Sequence, residues 1–384
     1  MTKRYRNLFI GTAILALAAC GGAAETRDEP TAAATSQTQL SLSVTPIVEG
    51  LDFPWALAVL PSGDMLVSER EGRLNLLKDG TLTPIAGTPE AYVERQGGYF
   101  GLVLDPDFET NRHIYLAYAQ GNEDENSTAV MKATLSADGT AISDVSTIYQ
   151  ADRRDTAFHF GGRLQFMNDG TLLVSLGDGF RYMDDAQTPN NTHGTIVRIN
   201  SDGTIPQDNP FVGTDGAKPE VYSYGHRNVQ GLFVDPATGT VFAHEHGPKG
   251  GDELNIITPG LNYGWPKITY GVNYDGTIIT NKSEAEGMEQ PYIKWVPSIA
   301  PSGMTLYTGD KYPGWTGDLI IGAMNGPAGL KLVRVDLEDG RIGEASDHLT
   351  DIDRPIRDVV QGTDGYLYIV TNELDGGVFR LDVN

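Results

Sequence analysis

The chain has 384 residues, with 51 Asp and Glu against 28 Lys and Arg, for a net charge of -23. That balance excludes a protein that holds nucleic acid by its phosphates, which requires a basic face. A single Cys excludes an internal disulfide and any zinc site built on several thiolates, and 40% hydrophobic residues exclude a disordered chain.

The chain begins with a basic stretch, Lys3, Arg4 and Arg6, followed by an apolar run from Leu8 to Ala19 that is too short to span a membrane as a helix. The run ends in Leu17-Ala18-Ala19-Cys20, then Gly21-Gly22. This resembles a bacterial lipoprotein signal, and the lone Cys of the chain stands at the position that would be lipidated. The resemblance implies a cleaved leader over 1–19, a lipid anchor on Cys20 and a folded part exported to the periplasmic face of a membrane. An ordinary signal peptide cut near Ala19 is the alternative. Residues 20–40 lack aromatic and β-branched apolar side chains and read as a flexible tether.

From residue 41 onward, short β-rich runs alternate with Gly, Asp, Asn and Pro. One pattern recurs: an apolar stretch, a turn, an alternating apolar run and a further strand. Its copies begin at Ala56, Gly101, Gly162, Gly231, Met304 and Asp358. Repeats of this size made of short strands predict an all-β six-bladed β-propeller over 41–384. Asp-Gly and Asp-Pro pairs are placed to turn the first two strands of the blades. The segment Ser41 to Val48 reads as a strand that pairs with the last blade and closes the ring. A pair of β-sandwiches is the alternative architecture.

Three clusters carry chemistry. His159 lies in Phe158-His159-Phe160-Gly161-Gly162-Arg163, and Asp178 follows in Leu176-Gly177-Asp178-Gly179. A neutral His is a natural base near pH 7, and an Asp can hold its tautomer. As a residue pattern alone, a His in a Gly-rich turn serves packing as readily. The second cluster, Gly225-His226-Arg227-Asn228, supplies a guanidinium able to stabilise an oxyanion or bind a carboxylate, or else is a solvated loop. The third, Gly247-Pro248-Lys249-Gly250-Gly251-Asp252-Glu253, exposes backbone carbonyls of the kind Ca²⁺ takes. His244 and His246, two apart, would share a face as metal ligands but lack a third partner. The acidic run Asn122 to Asn126 and the pair Asp184-Asp185 lack the ligand spacing of an EF-hand and read as solvated loops.

These clusters, in this order, resemble the soluble aldose sugar dehydrogenase (glucose/sorbosone dehydrogenase) family across about residues 45–382. The motifs are HFGGRL at 159–164, GHRN at 225–228, GPKGGDELN at 247–255, NYGWP at 262–266 and PSIAPSGM at 297–304. The resemblance implies a six-bladed propeller that uses pyrroloquinoline quinone (PQQ) and Ca²⁺ to oxidise a sugar at C1 to its lactone, passing electrons to an external acceptor. Carried over, His159 would be the base, Asp178 its partner and Arg227 the cation facing the quinone oxygens. Asn228 and Arg357 would contact the cofactor, Gln96 the sugar, and the Gly247 and Pro248 carbonyls the Ca²⁺.

Two departures bear on the tricarboxylate cofactor. Where the family has Arg-x-Arg-Asp, this chain reads Pro355-Ile356-Arg357-Asp358, and where it has a Lys this chain has Asn325. Each lost charge-assisted contact costs roughly 1.5–3 kcal/mol, unless Lys331 or Arg354 compensates. Phe158 replaces an Asp of the glucose-oxidising relatives, so glucose preference does not carry over. Two rival readings are a calcium-dependent propeller lactonase and a sugar-binding surface lipoprotein that has lost its cofactor.

Overall fold

In the computed structural model, residues 40–325, 329–338 and 341–384 are described. The leader over 1–19, Cys20 and the tether up to residue 39 lie outside the described residues.

Strand β1 (Leu42–Leu51) stands alone at the start. Four strands each then build five sheets. Blade one holds β2 to β5 (Pro54–Val59, Met65–Glu69, Arg73–Lys78, Thr81–Pro84). Blade two holds β6 to β9 (Tyr99–Leu104, His113–Gly121, Asn126–Leu135, Ile142–Gln150). Blade three holds β10 to β13 (Leu164–Phe166, Leu172–Ser175, Thr195–Ile199, Val221–Tyr224). Blade four holds β14 to β17 (Val229–Val234, Val241–Glu245, Asp252–Ile257, Ile293–Trp295). Blade five holds β18 to β21 (Pro301–Leu306, Leu319–Ala323, Lys331–Glu338, Arg341–His348). The sixth sheet is β22 to β24 (Ile356–Gln361, Leu367–Thr371, Gly376–Val383), completed by β1.

The expected propeller is therefore present, and the ring closes as the sequence implied. β1 runs antiparallel to β24, from Leu42 opposite Val383 to Leu51 opposite Gly376. Without it, β24 would present an open row of N–H and C=O groups. Each blade's first strand abuts the first strands of its neighbours, so these six line the axis. The middle strands are buried on both faces, as in Met65–Glu69 and Leu172–Ser175. That double burial explains aliphatic runs in place of clean alternation. The outer strands β9 and β21 are largely exposed.

The recurrent Asp of the turns has one physical task. Asp105, Asp169, Asp235 and Asp364 each accept, through Oδ1, the backbone N–H two residues on, at 2.9–3.1 Å. These Asx turns join the first two strands of blades two, three, four and six.

A buried ion pair crosses the axis. Arg163 Nη1 meets Asp358 Oδ1 at 2.9 Å, joining the entrance of blade three to the inner strand of blade six. Asp358 Oδ2 accepts the Leu57 N–H of blade one at 3.0 Å. Arg163 also donates to the Gln230 carbonyl of blade four at 2.7 Å and to the Arg357 carbonyl at 3.1 Å. Burial pushes the Asp358 carboxyl up, against the pull of Arg163. A Cβ at Gly303 would collide with Asp358 Oδ1, which explains the glycine of PSGM on blade five.

Removing one partner of a buried pair leaves the other uncompensated. Asp358→Asn should lower stability by about 3–5 kcal/mol, read as a fall in the urea midpoint with an unchanged slope.

Candidate active site

Chain direction sets where the site forms. The connectors 151–163 and 176–194, the link 225–228 and the turn 246–251 all emerge at one end of the ring. His159 adopts a left-handed backbone, with φ of 50°, uncommon for a residue with a Cβ. Three bonds impose it. Its N–H donates to Gln96 Oε1 at 2.8 Å, its carbonyl accepts Arg154 Nη1 at 2.8 Å, and its Nδ1 donates to Asp178 Oδ1 at 2.6 Å. Gly177 lies so close to the His159 carbonyl that a Cβ there would collide with it.

The Nδ1–H bond to Asp178 leaves Nε2 as the lone-pair nitrogen of His159, a ring that lines a cavity of about 380 Å³. Arg227, Pro248 and Trp265 share that cavity, and Phe180, Met183, Asn273, Tyr274 and Asp275 form the rest of its wall. Burial, then the Arg227 charge, push the His159 imidazole below its ordinary value. Burial opposes ionisation of Asp178, yet the adjacent His159 and Arg227 hold its carboxyl below the usual range. Phe180 sets its ring edgewise to His159, with centroids 5.3 Å apart, and Phe158 lies beside Phe180 at 5.9 Å.

A second cavity of about 130 Å³ adjoins the inner strands. Gln96, Asn228 and Arg357 line it, with Trp55, Arg70, Gln230 and His246. Arg357 is buried and donates to Gln230 Oε1 at 2.8 Å, while its Nε has no partner. Burial and the charge of Arg163 push its guanidinium down, against the pull of the neighbouring Asp358. Its guanidinium and that of Arg163 both lie over the Trp55 ring, at 4.0 and 4.3 Å from the centroid. Burial pushes His246 down to about 3, so it is neutral, and its Nε2 donates to the Pro301 carbonyl at 2.7 Å.

The structure thus gathers His159, Asp178, Arg227 and Pro248 at one cavity and Gln96, Asn228 and Arg357 at the next. Gln96 reaches the site partly through the His159 backbone. The expected compensation for the missing cations does not occur through Lys331 or Arg354. Lys331 pairs with Asp347 at 2.8 Å, and Arg354 pairs with Glu49 and Glu373 at 3.3 and 3.2 Å. Asn325 is exposed and donates to the Ser298 carbonyl at 3.1 Å. The second cation at the inner cavity is Arg70, which sequence reasoning passed over; it follows directly on β3, at the same end of the ring as the site.

The Gly247-Pro248 turn is buried, and the Gly247 carbonyl accepts Arg227 Nη1 at 2.7 Å. A divalent cation there requires that guanidinium to move. Asp252 is a fastener and not a ligand. Its Oδ1 takes the Gly247 N–H, and its Oδ2 takes Ser298 Oγ and the N–H groups of Ile299 and Ala300, at 2.7–2.9 Å. Among the described residues, no group of three or more His, Cys, Asp and Glu could hold a metal. His244 is fully buried against Gly231, with neither ring nitrogen bonded.

Fold and site together define a six-bladed propeller with a buried His–Asp pair beside an arginine. The chain belongs to the Glucose / Sorbosone dehydrogenase family, whose profile matches residues 51–380. It is 40% identical over 351 residues to the aldose sugar dehydrogenase YliI of Escherichia coli K12, covering 89% of this chain and 93% of that one. The crystal structure of the soluble aldose sugar dehydrogenase from Escherichia coli in the apo form superposes with a TM-score of 0.85 at 37% identity, covering 90% of this chain and 100% of that one. The PQQ-bound aldose sugar dehydrogenase from Streptomyces coelicolor superposes with a TM-score of 0.74 at 27% identity, covering 90% and 98%.

Because His159 is held neutral, the acid limb of any activity that uses it as a base should fall below about 6.5, the ordinary His value. A pH–rate profile measured from pH 4.5 to 8 checks this.

Proposed function

We propose that this protein oxidises aldose sugars at C1 to the lactone, using PQQ and Ca²⁺, and passes the electrons to an external acceptor. The observation that carries the reading is the His159–Asp178 pair facing a cavity beside Arg227, next to an inner cavity whose Arg357 has no carboxylate of its own. A tricarboxylate suits that inner cavity, since Arg357 Nε lacks an acceptor there and Arg70 adds a second cation, held only loosely by the exposed Glu71 at 3.5 Å. Asn228 and Gln230 add amides to the same wall. When bound, PQQ would supply the two-electron acceptor chemistry that no side chain provides.

This chain's own residues then have distinct tasks. His159 Nε2 takes the proton of the sugar C1 hydroxyl as hydride leaves C1. Asp178 keeps the imidazole in the Nδ1–H tautomer and stabilises the imidazolium that results. Arg227 offers positive charge where oxygen charge develops. The Gly247 and Pro248 carbonyls would be the residues that hold Ca²⁺, which would supply a second positive charge beside Arg227. Cys20 is proposed as the lipid anchor that holds the protein at the periplasmic face of a bacterial membrane.

The decisive experiment is reconstitution of the purified protein with PQQ and Ca²⁺, followed by dye reduction with a panel of sugars. No PQQ binding at micromolar concentration overturns the cofactor assignment, and lactone hydrolysis without PQQ would favour the lactonase instead. His159→Ala should leave PQQ affinity nearly intact and cut turnover by ~10²–10⁴; unchanged turnover refutes the base. Calcium removal with a chelator should abolish reconstitution and added Ca²⁺ restore it. Cys20→Ala should move the protein from the membrane pellet to the soluble fraction.

A further inference from the structure

We infer that Trp265 is a positioning residue that sets the basicity of the His159–Asp178 pair through its indole N–H. The activity arm of its test rests on the function proposed above; the titration arm does not.

The argument starts from the acceptor sites of Asp178, which is almost fully buried. Its Oδ1 takes two donors, His159 Nδ1 at 2.6 Å and the Phe180 N–H at 2.7 Å. Its Oδ2 takes one, the Trp265 Nε1–H at 2.8 Å. That indole arrives from the connection between β16 and β17, remote in sequence from both members of the pair. It is firmly seated. The Trp265 backbone N–H donates to the Gly225 carbonyl at 2.8 Å, and Gln187 Nε2 donates to the Trp265 carbonyl at 2.7 Å. The Arg227 guanidinium lies 5.3 Å from the centroid of the same ring. One side chain therefore touches both the carboxylate that orients the base and the cation beside it.

A hydrogen bond to a carboxylate disperses its charge and favours the ionised form. With the indole N–H present, Asp178 exerts a weaker pull on a proton at His159, and the imidazole stays neutral more readily. The other ionisable groups around the pair are Arg227, Arg154, the neutral His246 and, on the cavity wall, Asp275 beside the exposed Tyr274. Asp275 accepts the Thr277 N–H and hydroxyl, and the other three are likewise placed by hydrogen bonds that do not involve the indole. Arg154 is held to the His159 and Gly177 carbonyls, Arg227 to the His246 and Gly247 carbonyls, and His246 to Pro301. Loss of the N–H alone should thus raise the His159 pKa. A wall residue that only shapes the cavity would have no such effect.

The test is Trp265→Phe, which keeps an aromatic ring beside Arg227 and removes the donor. In the cofactor-free protein, NMR titration of the His159 ring should show its pKa raised by about 0.5–1 unit relative to the parent. An unmoved pKa overturns the inference. In an Asp178→Asn background the same substitution should leave the His159 titration where it was; an equal shift there would also overturn it. In the reconstituted enzyme, the acid limb of kcat/KM should move up by the same amount, with KM for the sugar within about twofold. A raised KM with an unmoved limb would make Trp265 a cavity wall only. Absence of sugar oxidation in the parent would sink the proposed function and leave the titration result standing. In the unaltered protein, the Trp265 indole N–H resonance should shift as His159 titrates and exchange slowly with solvent. A freely exchanging, unresponsive indole overturns the inference even if the variant fails to fold.

Discussion

The ring turns on one buried ion pair. Arg163 and Asp358 meet at the axis and, with their backbone partners, reach blades one, three, four and six. In so dry a place neither charge is tolerable alone. Their pairing has a consequence for the neighbouring residue. Asp358 bonds Arg163, so among the described residues Arg357 makes no ion pair and its Nε is without an acceptor. The interaction that joins blades across the axis is thus also the one that leaves a cation available at the inner cavity.

That economy of charge reconciles a chain of net charge -23 with a site suited to anions. The exposed acids dominate the total, but field strength in a cavity depends on what is near and undispersed by water. Arg227 and Arg357 are buried and Arg70 is partly so. The abundant surface carboxylates are screened over distances of about 10 Å at moderate salt. Local arrangement therefore decides what the cavity attracts.

The outer cavity solves a different problem. The proposed base must be neutral at working pH and must not swing. His159 meets both needs at a left-handed backbone position, pinned at its N–H, its carbonyl and its Nδ1 by residues from three separate connectors. Arg154 takes part from the connector that carries His159, and Trp265 from the NYGWP motif, far from His159 and Asp178 in the chain. Their roles exist only once connectors from blades two, three and four are brought over one another.

Much of this was legible in the sequence, for identifiable reasons. Blade count and ring closure follow from repeat spacing, Asp-bearing turns and an extra strand before the first copy, all local in character. The pairing of His159 with Asp178, and the nearness of Arg227 to both, were reachable through motif order. What the chain could not disclose by itself was how charges are shared. Arg354 and Lys331 look like substitutes for missing cations, yet Lys331 pairs with Asp347 on the adjacent strand and Arg354 with Glu49 and Glu373. Arg70 carried no motif, and its place at the inner cavity emerged only when β3 ended beside the axis. The Gly247 carbonyl looked free until Arg227 was found on it. Periodicity and turn chemistry act over a few residues, so the sequence determined the architecture and pointed to the His159–Asp178 pair. Hydrogen bonds and ion pairs are long-range and mutually exclusive, so only the tertiary structure decided which cations remain for a ligand and what holds the base in place.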